Sequence, residues 1–203
     1  MRYSDIDPRK QAFIFELDNV LYPEKDFLFQ VYYLFASFLD YTAQIDAAAA
    51  VKLMTEVYNE QGKDSIFPVL QSRFGIDAKY EENFNNLQIK AQLPLPLLLY
   101  PQMLALLQEI VVDRKKLFIV TDGNPAKQLN KIKFTEWNGL DKYLVCYFSE
   151  EFKPKPEPDV IHQLLRDHNL VRRDLLMIGN SETDELAATA GGIDYLDVMN
   201  FLS

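Results

Sequence analysis

Acidic, hydroxyl and glycine residues follow two short apolar runs of the chain, in a pattern suited to anion binding and acid–base chemistry. Glu16 and Asp18 come directly after the run Ala12–Phe15. Residues two apart in an extended chain project to the same side, so both carboxylates would face one ligand. Thr121 brings a hydroxyl to the end of a second run, and Gly123 lets backbone amides approach an anion closely. Such groups can serve as nucleophile, acid, base or anion ligand.

A third apolar run and a proline-rich loop supply the remaining candidates. Asn180 follows the run LLMI, and Asp184 lies one turn into the helix expected after it. That Asp could equally do no more than interact with the helix dipole. Lys153 and Lys155 lie in the loop KPKPEP. From the residues alone, one of these lysines is an ordinary loop charge and the other is a candidate anion ligand.

The apolar runs before these residues are typical of strands that are buried on both faces of a parallel sheet. Each run is followed by polar or turn-forming residues and then by a helical pattern, which predicts a doubly wound α/β fold. In such sheets, ligands bind beyond the carboxyl ends of the strands, where the candidate residues lie. The four predicted strands are at residues 12–15, 117–120, 143–148 and 175–178.

About a hundred residues separate the first predicted strand from the second, far more than a crossover connection needs. Most of this segment has helical periodicity, with apolar residues one, three and four apart. Predicted helices lie at residues 27–39, 47–58, 65–74, 79–91 and 101–112, and Pro94 and Pro96 interrupt the pattern. We therefore predict a Rossmann-like α/β core of residues 1–21 and 95–203, with a helical domain of residues 22–94 inserted into it.

Composition and charge exclude several classes of protein. The 203 residues are 48% hydrophobic and 25% charged, as in an ordinary globular protein. The net charge of -9 would repel a phosphate backbone, so we expect no nucleic-acid partner. Cys146 is the single cysteine, which suits a reducing cytoplasm. The sequence has neither a signal-peptide core nor an apolar stretch long enough to span a bilayer, so we expect a cytoplasmic protein without membrane contact. The oligomeric state cannot be read from these features.

Four segments in order resemble the motifs of the haloacid dehalogenase-like (HAD) hydrolase superfamily, in the branch with a helical cap after the first strand. The first segment matches a motif that usually reads Asp-x-Asp, and the second a motif whose Thr or Ser binds phosphate. The third places a lysine before Pro-x-Pro, and the fourth is similar to a motif that usually reads GDxxxD. The segments are residues 13–21 (FIFELDNVL), 119–124 (IVTDGN), 155–161 (KPEPDVI) and 177–184 (MIGNSETD).

The resemblance implies a Mg²⁺-dependent phosphatase that acts on a small phosphomonoester such as a nucleotide or sugar phosphate. In the family, the first carboxylate attacks phosphorus, and the second protonates the leaving oxygen and then activates water. Glu16 and Asp18 hold these positions, and Lys155, rather than Lys153, fits the register of the catalytic lysine. The implied phosphate ligands are Thr121, Asp122, Gly123 and Lys155. The implied Mg²⁺ ligands are Glu16, Asp18 (also through its backbone carbonyl), Asn180 and Asp184.

Two residues depart from the family pattern and predict weak activity. Glu16 replaces the nucleophilic Asp, and its extra methylene moves the carboxylate by about 1.5 Å if the backbone stays in place. Asn180 replaces an acidic metal ligand and lacks its charge, which lowers the expected Mg²⁺ affinity. The alternative is an impaired module that binds a phosphorylated ligand without turnover. Haloacid dehalogenation is disfavoured, because those relatives lack the second acidic residue, which is present here as Asp18.

Overall fold

The central sheet of the protein has five parallel strands. The structure is a computed structural model that describes residues 1–202. The strand order in this sheet is β5-β3-β1-β6-β7, and β2 pairs with β4 in a separate two-stranded sheet. The strands are β1 (Ala12–Phe15), β2 (Leu97–Leu98), β3 (Lys116–Thr121), β4 (Thr135–Glu136), β5 (Leu144–Phe148), β6 (Leu175–Gly179) and β7 (Asp194–Asp197).

The register of the sheet brings the ends of its three central strands together. Phe15 at the end of β1 pairs with Ile119 of β3 on one side and with Ile178 of β6 on the other. Because the strands are parallel and in step, the residues that follow β1, β3 and β6 leave the sheet at the same edge. The four predicted strands are present, and their alignment places Glu16, Thr121 and Asn180 at one edge of the sheet.

Both faces of the sheet are covered. Along β1 every residue is buried, and Ile14 belongs to a core cluster that includes Phe118 of β3 and Met177 of β6. Phe13 and Phe15, which alternate with Ile14, are fully buried as well. A strand that is buried on both faces requires covering elements on both sides, which confirms the doubly wound α/β architecture.

Nine α-helices accompany the strands in residues 1–202. They are α1 (Glu24–Ala43), α2 (Ala47–Gln61), α3 (Ile66–Phe74), α4 (Tyr80–Lys90), α5 (Pro101–Val112), α6 (Pro125–Phe134), α7 (Asp159–His168), α8 (Glu182–Gly191) and α9 (Met199–Leu202). None of the helices in this described part of the chain has the length and apolar character needed to cross a membrane.

The chain divides into two compact units. One contains Met1–Glu24 and the residues from Leu97 onward, and the other is Lys25–Pro96. The second unit is helical, and an aromatic core holds it together, with the rings of Phe35 and Phe84 4.9 Å apart. The first unit contains the whole five-stranded sheet and every residue of the candidate site.

Some elements differ from the sequence predictions. The predicted strand at residues 143–148 begins at Leu144 rather than Tyr143, because residues 141–143 form a turn of 3₁₀ helix. The second predicted helix continues three residues further, to Gln61, and ends at Gly62, whose φ of 84° is readily adopted only by glycine. Strands β2, β4 and β7 were not predicted. β2 and β4 have two residues each, too few to form a pattern, and β7 has an acidic residue at each end, so it does not resemble an apolar run.

Candidate active site

Glu16 is the first residue after β1, and its carboxylate is buried between β3 and the proline-rich loop. Its backbone N–H donates to the Ile178 carbonyl at 3.1 Å, which keeps the backbone in the register of the sheet. Oε1 accepts a hydrogen bond from Thr121 Oγ1 at 2.5 Å, and Oε2 forms an ion pair with Lys155. Burial raises the pKa of Glu16 to about 7, although the Lys155 charge acts in the opposite direction.

Lys155 lies at the centre of the acidic groups. Its ammonium contacts Glu16 Oε2, Asp184 Oδ1 and Asp122 Oδ2, the last at 3.2 Å. Burial opposes the charged form, but the three carboxylates outweigh it and raise the pKa of Lys155 above its ordinary value. Lys153 is exposed, and its Nζ lies 3.9 Å from Asp159. The structure therefore places Lys155, and not Lys153, among the candidate residues.

Asp184 is held by the first turn of α8. Its Oδ2 accepts hydrogen bonds from the backbone N–H groups of Asn180 and Ser181, at 3.1 and 3.2 Å, and from Ser181 Oγ at 2.7 Å. Such capping satisfies backbone donors that a helix start leaves open. Gly179 makes the close approach possible, since a Cβ there would lie 2.6 Å from Asp184 Cβ. Oδ1 is thereby directed at Lys155.

Asp18 takes part in a second network, on the side of the site formed by α6. Oδ1 accepts from the Tyr22 hydroxyl at 2.8 Å, while Oδ2 pairs with the Lys131 ammonium and accepts from Gln128 Nε2 at 3.3 Å. Burial opposes ionisation of Asp18, but the Lys131 charge and the three donors outweigh it, so its pKa lies below the usual range. Gln128 Nε2 also donates to Thr121 Oγ1 at 2.7 Å, which links the two networks.

The loop after β3 is fixed from the neighbouring strand. Ser149, directly after β5, donates to the Thr121 carbonyl at 3.1 Å and contacts Asp122 Oδ1. Gly123 has a φ of 92°, in the left-handed region that favours glycine. Asn124 then caps α6 by accepting from the Lys127 N–H at 3.1 Å. Together these contacts set the backbone of the predicted phosphate loop.

Three carboxylates of the site fit a divalent cation. Oxygen atoms of Glu16, Asp122 and Asp184 lie within 4.8 Å of one another. Carboxylate oxygens are the ligands that Mg²⁺ prefers, so this donor set suits it. Asp122, predicted as a phosphate ligand, belongs to this acidic group, whereas the Asp18 carboxylate is directed at Lys131. Asn180 contributes its backbone N–H to Asp184 and is itself exposed.

Comparisons with known proteins agree with this arrangement. The family model described as haloacid dehalogenase-like hydrolase matches residues 13–198. The chain belongs to this family. The match covers the helical unit Lys25–Pro96 and the candidate residues at the ends of all three central strands. It confirms the family resemblance that the four sequence motifs indicated.

Solved structures of other HAD proteins share the fold. A HAD-superfamily hydrolase, subfamily IA, variant 1, from Geobacter sulfurreducens has a TM-score of 0.62 and 16% identity, covering 92% of this chain and 86% of that one. A HAD family hydrolase from Deinococcus radiodurans, with bound phosphate and sodium, has a TM-score of 0.58 and 16% identity over 94% and 81%. A HAD phosphatase from Thermococcus onnurineus has a TM-score of 0.56 and 22% identity over 91% and 84%. No curated protein sequence matches this HAD chain.

Gln128, Lys131 and Ser149 contribute side chains to the candidate site but were not predicted from the sequence. Gln128 and Lys131 lie three residues apart on α6, and both are buried. The only signal for them was that α6 directly follows the predicted phosphate loop, so its first turns must lie beside the site. Ser149 directly follows the predicted strand at residues 143–148, so the strand-end reasoning used for the other candidates would have found it.

Proposed function

We propose that the protein is a Mg²⁺-dependent phosphatase that hydrolyses a small phosphomonoester slowly. The observation that carries the proposal is that the Glu16 carboxylate, the Thr121 hydroxyl and the Lys155 ammonium meet at one edge of the sheet, two residues from Asp18. Phosphoryl transfer requires a nucleophile, a hydrogen-bond donor to the phosphoryl oxygens and a fixed positive charge. The Thermococcus phosphatase and the phosphate-bound Deinococcus hydrolase, both similar in fold, support this chemistry.

In the first step of the proposed reaction, a Glu16 oxygen bonds to phosphorus while the bond from phosphorus to the ester oxygen breaks. The electron pair stays with the ester oxygen, which takes a proton from Asp18. Because the Lys131 charge keeps Asp18 ionised in the free protein, this proton enters with the substrate monoanion and passes to Asp18 when the substrate binds. In the second step, Asp18 takes a proton from water as that water attacks phosphorus, which releases phosphate and regenerates Glu16. Thr121, Lys155 and the backbone around Gly123 stabilise the remaining phosphoryl oxygens.

Bound Mg²⁺ would neutralise charge that develops on the phosphoryl oxygens. Its proposed ligands are Glu16, Asp184, the Asp18 carbonyl and Asn180, and Asp122 is available beside them. Asn180 offers an oxygen without a charge, so this set binds Mg²⁺ more weakly than a set with an Asp there. Lys155 already pairs with three of the carboxylates, which weakens binding further because the two cations share ligands.

The contacts of Glu16 support slow turnover. Two of the proposed phosphate ligands, the Thr121 hydroxyl and the Lys155 ammonium, already contact the Glu16 carboxylate. A substrate must exchange these bonds before it binds. Misplacement of a reacting group by about 1 Å can lower the rate about a hundredfold. The same contacts favour the second candidate function, a module that binds a phosphorylated ligand without turning it over.

We assign substrate selection to the helical unit Lys25–Pro96, as the proposed cap of the active site. The substrate is proposed to be small and phosphorylated, since a protein with a net charge of -9 repels a nucleic-acid backbone. The single cysteine supports a cytoplasmic location.

The test compares Mg²⁺-dependent hydrolysis of p-nitrophenyl phosphate by the wild type, Glu16→Asp and Asp18→Asn. We expect slow hydrolysis by the wild type that is lost in EDTA and in Asp18→Asn. We expect Glu16→Asp to be faster by about tenfold or more, because the shorter side chain leaves Thr121 and Lys155 to the substrate.

A silent wild type with an active Glu16→Asp variant would instead support the binding module. Inorganic phosphate should then raise the melting temperature of the wild type. If neither protein shows hydrolysis that depends on Mg²⁺, the phosphatase proposal is wrong.

A further inference from the structure

Helix α6 buries polar side chains and exposes an apolar one. Gln128 and Lys131 are 2% and 1% exposed, whereas Leu129 between them is 42% exposed. A helix that only covers a sheet turns its apolar residues inward. Burying a lysine also requires a partner for its charge. The contacts of Gln128 and Lys131 must therefore explain why α6 buries these polar side chains.

Both side chains converge on Asp18. The Lys131 ammonium pairs with Asp18 Oδ2, and Gln128 Nε2 donates to the same oxygen at 3.3 Å. The other oxygen, Oδ1, has the Tyr22 hydroxyl at 2.8 Å. Buried ion pairs are often no more stabilising than apolar residues of similar volume, so stability alone does not account for Lys131.

The donors and acceptors of the network form a continuous chain from Asp18 to Glu16. The two N–H groups of Gln128 Nε2 serve Asp18 Oδ2 and Thr121 Oγ1, the latter at 2.7 Å. Thr121 thus accepts from Gln128 and gives its single proton to Glu16 Oε1, at 2.5 Å. Helix α6 in this way connects Asp18, proposed for proton transfer, with Glu16, proposed to attack phosphorus.

We propose that Lys131 is a positioning residue that acts through Asp18, and that Gln128 fixes the position of Asp18 relative to Glu16. Lys131 and Gln128 hold Oδ2, which leaves Oδ1 to transfer the proton. When substrate binds, the ester oxygen replaces the Tyr22 hydroxyl as the partner of Oδ1. This inference rests on the proposed phosphatase function. It extends the site to a helix face that the sequence motifs do not include.

The role of Lys131 should depend on the leaving group. An alkyl phosphate has a strongly basic leaving oxygen that needs a proton as the ester bond breaks, whereas p-nitrophenolate leaves without one. A loss of Asp18 positioning therefore slows alkyl phosphate hydrolysis far more than aryl phosphate hydrolysis. A general loss of folding or of phosphate binding slows both equally.

The experiment measures kcat and KM of Lys131→Met for glycerol phosphate and p-nitrophenyl phosphate, in the wild type or in Glu16→Asp, whichever is active. We expect kcat to fall by about a hundredfold for the alkyl ester and by less than about tenfold for the aryl ester, with little change in KM. Lys133→Met is the matched control, because Lys133 is exposed on the same helix. The kcat and KM of this control should match those of the parent protein for both substrates.

Equal losses on both substrates, or no loss, would overturn the positioning role. If Lys131→Met does not fold by circular dichroism, Lys131→Gln replaces it, since glutamine removes the charge but keeps a donor. We expect the same selective loss on the alkyl ester in that variant, because the glutamine side chain is one atom shorter than lysine and holds Oδ2 less closely. Failure of the phosphatase proposal gives a different result, because the parent protein then hydrolyses neither ester.

Discussion

The Glu16 carboxyl titrates in an environment that opposes its charge. Burial raises its pKa from the ordinary 4.5 to about 7, and the Lys155 charge offsets only part of this effect. Between these two pH values the unfolded chain has lost the proton and the folded protein keeps it. The free energy of unfolding therefore falls with rising pH, by about 1.4 kcal/mol per pH unit for this group. Its stabilising contribution is complete below pH 4.5 and is lost as the pH passes about 7.

Glu16→Gln removes this pH dependence, because glutamine does not titrate. We expect the stability of the variant relative to the wild type to rise between pH 4.5 and pH 8, by on the order of 3 kcal/mol in total. Urea unfolding across this range, in EDTA so that no metal contributes, measures the difference. Glu150→Gln, at an exposed position, should follow the wild type. If the stability difference between Glu16→Gln and the wild type stays constant with pH, the Glu16 pKa is not raised.

The sequence predicts residues of this site where a strand end determines their position, and fails where a helix face does. Glu16 and Thr121 follow apolar runs, and the rule that parallel strands end at one edge brings them together. Lys131 gives no comparable signal, because a lysine three residues from a glutamine on a helix is read as solvated. Only the tertiary packing of α6 against Asp18 shows that this polar face is buried.

At the scale of elements, the central strand β1 could be predicted from the sequence and the edge strand β7 could not. Strand β1 was predicted with its exact bounds because all of its residues are apolar and buried on two faces. Strand β7 escaped prediction because it lies at the edge of the sheet and begins and ends with exposed Asp residues. An edge strand faces solvent, so its side chains need not be apolar.

The junction between β6 and α8 positions Asp184, and Gly179 makes it possible. Alanine there would place a methyl group 2.6 Å from Asp184 Cβ, so the carboxylate must move away from Lys155. We expect Gly179→Ala to cost about 1–3 kcal/mol of stability. We also expect it to weaken the rise in melting temperature that Mg²⁺ produces, which differential scanning fluorimetry measures.

Gly191→Ala, at the other end of α8, is the control for that substitution. Its methyl group would lie 3.0 Å from Ile161 Cγ2, so it also crowds the core but does not touch the site. It should lower the melting temperature in the same way while leaving the Mg²⁺ effect intact. Equal Mg²⁺ effects in the two variants would show that Gly179 has no part in positioning Asp184.

At the scale of the whole molecule, one unit is continuous in the sequence and the other is not. The unit that carries the site contains every strand of the central sheet, although Lys25–Pro96 interrupts it in the sequence. The chain leaves and re-enters this unit at adjoining points, since the Tyr100 N–H donates to the Leu21 carbonyl at 2.9 Å. A short connection can therefore replace the helical unit without pulling the sheet apart.

We expect a protein in which about six Gly and Ser residues replace Lys25–Pro96 to fold cooperatively, because the sheet and its covering helices stay intact. Near-ultraviolet circular dichroism and a single urea transition measure this. If the helical unit selects substrates, the shortened protein should hydrolyse aryl and sugar phosphates with more similar kcat/KM values than the full chain does. A shortened protein that fails to fold would show that the sheet depends on the helical unit for its stability. One that folds but keeps the selectivity of the full chain would place substrate recognition within the unit that carries Glu16 and Asp18.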